Sequence, residues 1–154
     1  YDASVRFLDQ SNPSDVHDLN EEIGGSESDD HRIFWSTGSR LATTIVDKYL
    51  DAATRQDVAA ISRLYADHAV VEDPVGTEPH RGIEAITGFY TRSLAGGARM
   101  QRIGNVRYAG NSAAFCFDVH VGGMKIEVLD VFEFGSDGKI VSMKAYWGPE
   151  NVVQ

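Results

Sequence analysis

The feature that most constrains the fold is a period-two alternation of apolar and polar residues in the C-terminal part of the chain. Turn signals divide this alternation at Gly110-Asn111, at Gly122-Gly123 and at residues 135–138. Successive side chains of a strand point to opposite faces of a sheet, and such turns join antiparallel neighbours. The pattern therefore predicts a run of antiparallel strands with one buried face.

Three helical patterns precede these strands. The first begins at about Ser39, and Asp57 has the position of an N-cap for a short second helix. A brief strand over residues 69–72 follows, and the third helix comes after Gly82. The apolar stripe of the first helix consists of Leu41, Ile45, Tyr49, Leu50 and Ala53. Helices followed by hairpins are typical of α+β folds, so we expect a curved antiparallel sheet, closed by three N-terminal helices, around a cone-shaped cavity.

The charge of the chain divides it into two parts. Residues 1–35 hold nine acidic and two basic side chains of a total of 23 and 14, so the remainder is close to neutral. We expect residues 1–36 to form an acidic, flexible or loosely docked extension and residues 37–154 to form one domain. A near-neutral domain argues against nucleic acid as the partner and favours a neutral organic ligand.

The composition also bears on where the protein works. No apolar run approaches the ~20 residues of a membrane span, and the first residues do not resemble a secretory signal. The single cysteine, Cys116, excludes an internal disulfide framework. We therefore expect no membrane span and a cytoplasmic location.

Asp130 occupies a position that the alternation assigns to the buried face. Ile126, Val128, Phe132 and Phe134 mark that face in the same predicted strand. A buried carboxylate is costly unless it is paired, hydrogen-bonded or protonated. The residue is therefore a candidate for function, with two structural alternatives: a carboxylate that bridges backbone amides, or a slipped register that exposes it.

The expected hairpins predict which residues surround Asp130. If Gly122-Gly123 is a two-residue turn, Phe115 pairs with Asp130. A four-residue loop in the next hairpin pairs Asp130 with Met143, and Trp147 lies nearby on the same face. These apolar neighbours should remove water from the carboxyl group and raise its pKa.

A second carboxylate and three phenols accompany Asp130. Asp73 ends a strand that Pro74 interrupts, which suits a side chain at a cavity mouth, although Asp-Pro is also ordinary turn chemistry. Tyr49, Tyr65 and Tyr90 each lie on the inner stripe of a different predicted helix. Each phenol alone is typical of a core aromatic residue, but three converging phenols are typical of a ligand pocket.

Residues 65–79, Tyr-Ala-Asp-His-Ala-Val-Val-Glu-Asp-Pro-Val-Gly-Thr-Glu-Pro, closely resemble the bacterial Δ5-3-ketosteroid isomerases. The resemblance extends from about Leu41 to Val152 and includes residues 88–90 and 138–148. It implies the nuclear-transport-factor-2-like cone fold. It also implies an isomerase that moves a C=C bond from β,γ to α,β conjugation with a ketone, from a 3-oxo-Δ5-steroid to a 3-oxo-Δ4-steroid, through a dienolate.

The resemblance also implies roles for individual residues. Asp73 matches the general base, Tyr49 the phenol of the oxyanion hole, and Asp130 its protonated carboxylic acid, an established property of that family. Tyr65 and Tyr90 match positions of the phenol network. The remaining predicted substrate-binding residues are Phe89, Phe115, Phe117, Met143 and Trp147.

The implied ligand is a small apolar polycyclic ketone such as a steroid, with no metal or organic cofactor. A homodimer is the usual arrangement in the family, and Leu129 and Val131 on the outer sheet face indicate that this face is covered, by a second subunit or by the extension. Two features depart from the family: the Val121–Met124 hairpin is shorter than expected, and residues 1–36 have no counterpart.

Two other classes of protein share the cone fold. SnoaL-like cyclases and epoxide hydrolases act on polycyclic or terpenoid secondary metabolites with paired acids and no cofactor. The limonene type of epoxide hydrolase needs an Asp-Arg-Asp relay, for which Arg102 is the nearest candidate. The third class is a non-catalytic binding module, which has no need to bury an acid opposite a base.

Overall fold

The computed structural model describes residues 28–154, with side chains described from Gly38 onward. Its three α-helices are α1 (Ser28–Thr54), α2 (Val58–Leu64) and α3 (Ile83–Ser93). The strands are β1 (Tyr65–Glu72), β2 (His80–Arg81), β3 (Arg99–Ala109), β4 (Ser112–Val121), β5 (Met124–Phe134), β6 (Ile140–Tyr146) and β7 (Val152–Val153). Residues Ser39–Gln154 form one compact unit.

Helix α1 begins at Ser28, well before the predicted start at about Ser39. The first 27 residues of the expected extension lie outside the described residues, and the division of the chain at residue 36 stays a prediction. Among residues 28–154, no helix combines the length and hydropathy that crossing a membrane requires.

The ends of the helices follow the signals in the sequence. The Asp57 side chain accepts a hydrogen bond from the Ala60 amide at 3.0 Å, which confirms it as the N-cap of α2. Helix α3 follows Gly82, as predicted. Tyr65, which we expected on a helix, is instead the first residue of β1, because its backbone is extended immediately after α2.

The sheet has the strand order β2-β1-β6-β5-β4-β3, with β7 paired to β5. Strands β3 to β6 form the predicted antiparallel meander. Strand β1, however, pairs with β6 in parallel, so the expected antiparallel sheet is in fact mixed, with this one parallel pair among the described strands. The chain runs from β1 to β6 through β2, α3 and the other strands, a long crossover that permits a parallel pair. The architecture is the α+β cone of the nuclear-transport-factor-2-like fold, with a mixed, curved sheet.

The structure confirms the predicted register of one of the two hairpins beside Asp130 and contradicts that of the other. The Gly122-Gly123 turn pairs Phe115 with Asp130, which confirms the first predicted register. In the second hairpin Asp130 pairs with Ala145, and Met143 pairs with Phe132, so the predicted Asp130–Met143 pairing was wrong. The register shifts by a β-bulge at the end of β5 and the loop is longer than four residues. Met143 nevertheless remains buried on the same face of the sheet.

Candidate active site

A cavity of about 280 Å³ lies between the helices and the inner face of the sheet. This volume is slightly below the roughly 300–1,000 Å³ that ligand pockets usually enclose. Its lining includes six of the predicted site residues: Tyr49, Asp73, Phe89, Tyr90, Phe117 and Trp147. The other four, Asp130, Tyr65, Phe115 and Met143, are buried in the core and do not line it.

Asp73 is positioned by a turn that is tied to the sheet. Its peptide bond to Pro74 is cis. The Val75 amide donates to the Ala145 carbonyl at 2.9 Å, and the Gly76 amide donates to Glu72 Oε1 at 2.8 Å. These bonds hold the turn against β6, so the position of Asp73 is fixed by the sheet rather than by a free loop.

The parallel pairing of β1 with β6 brings the two carboxyl groups to neighbouring positions. Glu72 pairs with Lys144, so Asp73 lies beside Ala145, and Ala145 pairs with Asp130. Adjacent strands are about 4.8 Å apart, which separates the Asp73 and Asp130 backbones by roughly 10 Å across the sheet. The base and the acid that the resemblance implies thus lie on either side of one strand.

The surroundings of Asp73 favour a reactive carboxylate. Its partial burial raises its pKa above the ordinary value, while the hydrogen bond from Trp147 and the charge of His80 lower it. Trp147 Nε1 donates to Asp73 Oδ1 at 2.8 Å. Because the indole occupies Oδ1, Oδ2 is the oxygen that is left to take a proton.

Asp130 is almost completely enclosed, with 1% of its surface exposed. Neither of its carboxyl oxygens has a hydrogen-bond partner among the described residues. This contradicts both structural alternatives, the carboxylate that bridges amides and the slipped register. Burial raises the pKa of Asp130 well above its usual range, and the charge of Asp73 raises it further, so the neutral acid is the favoured form.

The three phenols form one hydrogen-bonded chain. Tyr65 Oη lies 2.7 Å from Tyr90 Oη, which lies 3.0 Å from Tyr49 Oη. Burial raises the pKa of all three well above 10, so the phenols are neutral. If Tyr65 donates to Tyr90 and Tyr90 to Tyr49, the Tyr49 hydroxyl proton remains available at the cavity.

The Tyr49 ring packs against the residues that surround Asp130. Its centroid lies 5.1 Å from that of Phe132 and 6.4 Å from that of Phe115, both in edge contacts. Phe115 pairs with Asp130 across the strands, and Phe132 lies two residues further along β5. The charge of Asp130 would raise the pKa of Tyr49, which places the two groups within electrostatic reach of each other.

The sequence patterns did not identify His80 as a site residue. Its ring stacks on Phe89, a cavity-lining residue, with centroids 4.4 Å apart, and its charge acts on Asp73. No sequence pattern marked His80, because its place beside the site depends on the pairing of β2 with the end of β1, where it lies opposite Val71. Arg102, the candidate for an Asp-Arg-Asp relay, instead donates to Asp47 Oδ1 at 2.9 Å and to the Gly104 carbonyl. Within the part of the chain that the structure describes, no group of three potential ligands could hold a metal ion.

Known proteins resemble this chain in sequence and in structure. Residues 46–143 match the family described as SnoaL-like domain. A protein of Nocardioides simplex named Steroid Delta-isomerase is 42% identical over 112 residues, which is 70% of this chain and 90% of that protein. The solved structure of SalBIII, described as an epoxide hydrolase/cyclase-like enzyme in pyran ring formation in polyether salinomycin, is 25% identical. It superposes with a TM-score of 0.68 and covers 73% of this chain and 94% of its own.

Proposed function

The chain belongs to the SnoaL-like domain family, and from this premise we propose that it is a cofactor-independent steroid delta-isomerase. Its sequence relative supports an isomerase. The proposed reaction converts a 3-oxo-Δ5-steroid into a 3-oxo-Δ4-steroid through a dienolate. The observation that carries the proposal is the pairing of a cavity-lining carboxylate, Asp73, with a fully buried acid, Asp130, and a neutral phenol, Tyr49.

In the first step Asp73 acts as the general base. Oδ2 removes a proton from the carbon between the ketone and the β,γ double bond, while Trp147 holds Oδ1. The protonated carboxyl group then returns the proton to the far end of the conjugated system. A positioned general base typically contributes 10²–10⁴-fold, and the apolar cavity walls limit exchange of this proton with water.

The negative charge that develops on the ketone oxygen needs donors that are already in place. Tyr49 and neutral Asp130 are the two candidates, since Tyr90 supports the Tyr49 hydroxyl and no described residue competes for the Asp130 proton. In known cases, removing one preorganised donor from a site that excludes water costs about 2.7–4 kcal/mol of oxyanion stabilisation. Tyr49 lines the cavity, whereas Asp130 is buried in the core beside it, so the role of Asp130 as the second donor rests on the resemblance and on its neutral form.

The test is conversion of a β,γ-unsaturated 3-ketosteroid, followed by the ultraviolet absorbance of the conjugated enone. Asp73→Asn should remove nearly all activity. Asp130→Asn should retain more, because an amide can still donate a hydrogen bond. Asp67→Asn, on an exposed position of β1, is the matched control and should leave the rate unchanged.

Two results would count against the proposal. No conversion by the wild-type protein, with its fold verified by circular dichroism, would rule out the steroid reaction. Equal losses in the Asp73 and Asp130 variants would contradict the donor role of Asp130.

The structural similarity to SalBIII supports a second candidate, a cyclase or epoxide hydrolase acting on another polycyclic or terpenoid metabolite. A cavity-lining acid with a second, buried acid beside it suits that chemistry as well. The engagement of Arg102 with Asp47 leaves the limonene-type relay without its arginine, which favours the isomerase. An epoxide substrate turned over by a protein that leaves the ketosteroid unchanged would reverse this preference. A non-catalytic binding module would convert neither.

We also propose a homodimer that forms through the outer face of the sheet. Ile103, Cys116, Leu129 and Tyr146 pair in succession across β3, β4, β5 and β6 and form a continuous apolar row. Ile103, Leu129 and Tyr146 are 44%, 37% and 47% exposed. An exposed apolar row of this kind is typical of a protein interface.

The charges beside the row suit a second copy of the same chain. On one side of the apolar row, Asp118 pairs with Glu127. On its other side, a second row crosses β4 and β5, with Arg107 on β3 at one end and Lys144 on β6 at the other. A two-fold axis along the apolar row would place the acidic side of one subunit opposite the basic side of its partner. The face is therefore self-complementary.

Sedimentation equilibrium tests this interface. The wild-type protein should be a dimer, and Leu129→Asp should dissociate it. Glu127→Lys should weaken the dimer, and combining it with Lys144→Glu should restore it. A wild-type monomer, or a Leu129→Asp variant that keeps its dimer mass, would contradict the proposal.

A further inference from the structure

The cavity extends well beyond the carboxyl and phenol groups. Along β4, Phe115 pairs with Asp130, and the inward-facing positions then continue through Phe117 and Val119 to Val121 at the end of the strand. A strand rises about 3.4 Å per residue, so this inner face extends roughly 20 Å past the level of Asp130. Phe117, Val119 and Val121 all line the cavity, which is therefore elongated along the strand.

The far end of the cavity is formed by small and apolar residues. Arg99 pairs with His120, so Ala98 lies beside Val121 by continuation of the register. Gly96 and Gly97 come just before Ala98 and also line the cavity. In the burial pattern Gly96 is exposed, while Gly97 and Ala98 are half-buried, so this end reaches the protein surface.

The polar side chains of the lining are concentrated at the opposite end. Asp73, Tyr49 and Tyr90 belong to the carboxyl and phenol cluster already described. Ser93 is the polar side chain nearest in sequence to the glycines, and its hydroxyl already donates to the Phe89 carbonyl at 2.7 Å. A ligand held by its ketone at the cluster would therefore meet apolar surface along the rest of its length.

We infer that the far end of the cavity receives a hydrocarbon substituent of the substrate and lets it extend past Gly96 to the surface. The substrate class is then a polycyclic ketone that carries a hydrocarbon chain on the ring remote from the ketone. This inference rests on the proposed function, because the ketone sets the orientation of the ligand. It adds Gly96 as a residue that determines substrate specificity.

Gly96 is a suitable position for testing this passage. A Cβ placed there meets no heavy atom within 4 Å, and its backbone is outside the left-handed region. Gly97, in contrast, has a φ of 74°, which would strain any other residue. A larger side chain at Gly96 can therefore be accommodated without strain, and because Gly96 lines the cavity we expect it to narrow the passage. Ala95 is exposed and does not line the cavity, so Ala95→Leu adds bulk beside the passage as a matched control.

The experiment measures binding rather than turnover, by isothermal titration calorimetry. Two conjugated 3-ketosteroids are compared, identical except that one carries a branched hydrocarbon chain on the remote ring and the other carries hydrogen. The wild-type protein should bind the chain-bearing ligand at least as tightly. Gly96→Leu should weaken that ligand by at least about tenfold and leave the shorter ligand unchanged. Ala95→Leu should affect neither.

Three outcomes would overturn the inference: wild-type protein that rejects the chain-bearing ligand, equal effects of Gly96→Leu on both ligands, or an equal effect of Ala95→Leu. Because the ligands are already conjugated, binding does not depend on isomerase activity. A protein that isomerises the shorter steroid but shows one of these outcomes would keep the proposed function and lose the inference. A protein that shows the expected binding without turnover would keep the inference about the cavity and lose the proposed isomerase function.

Discussion

Replacing Asp130 by Asn should remove a pH dependence from the stability of the protein. The folded-state pKa of Asp130 is raised by burial, so the folded protein binds a proton that the unfolded chain releases above its ordinary pKa near 4. Over that interval the folded state binds more protons than the unfolded state. Stability therefore falls as pH rises, until the pH reaches the folded-state pKa.

The slope of the free energy of unfolding against pH follows from the binding of one proton. One proton bound only in the folded state costs about 1.4 kcal/mol of stability per pH unit. The exposure of 1% and the absence of a hydrogen-bond partner among the described residues are the physical basis for a pKa of Asp130 well above its usual range. Each pH unit over which the folded protein keeps this proton adds the same cost to the wild-type protein, and Asn at the same position escapes it.

The assay is urea unfolding followed by circular dichroism at pH 5, 6 and 7, at one protein concentration, for wild type, Asp130→Asn and Asp67→Asn. The free energy of unfolding of Asp130→Asn relative to wild type should rise by about 1.4 kcal/mol with each pH unit. Asp67→Asn should show no such trend. If the difference between Asp130→Asn and wild type is constant from pH 5 to 7, Asp130 ionises in the folded protein and the reasoning is refuted.

Three further predictions concern the groups around the base. Trp147→Phe removes the hydrogen bond that lowers the pKa of Asp73, so the acidic limb of the pH profile of kcat/KM should move to higher pH; an unmoved limb would contradict this role of the indole. His80→Tyr keeps an aromatic ring on Phe89 but removes the positive charge, so the same limb should move upward while rates above pH 8 stay unchanged. A loss at all pH values would indicate a structural role instead. Asp57→Ala should lower the free energy of unfolding by about 1 kcal/mol through loss of the α2 cap, measured by urea unfolding, and an unchanged stability would show that the cap contributes nothing.

Local patterns predicted the parts of the fold that depend on neighbouring residues. The burial of Asp130 and its pairing with Phe115 followed from a period of two and a two-residue glycine turn, both readable within one hairpin. The second hairpin failed because a β-bulge at Phe134 changes the register, and nothing in the alternation marks where a bulge falls.

The parallel pair between β1 and β6 was beyond the reach of local patterns. The alternation within β1 does not show whether its partner is parallel, and that partner follows four other strands and a helix. That pair sets the distance between Asp73 and Asp130, so the geometry of the site depended on information that the separate segments do not contain. The residues themselves came from the resemblance, and their catalytic roles stay predictions.

The pairing of β1 with β6 also has a consequence for folding. Among the strand pairs of the described residues, it joins the segments that are furthest apart in sequence, so its loop-closure entropy is the largest. Hairpins between β3 and β6 can form locally, whereas Asp73 reaches Ala145 only after the whole meander exists. Long-range pairings of this kind slow folding and tend to form late. The cavity should therefore be the last region to gain protection in pulsed hydrogen exchange, and an incompletely folded chain would hold an intact hairpin sheet with no paired acids.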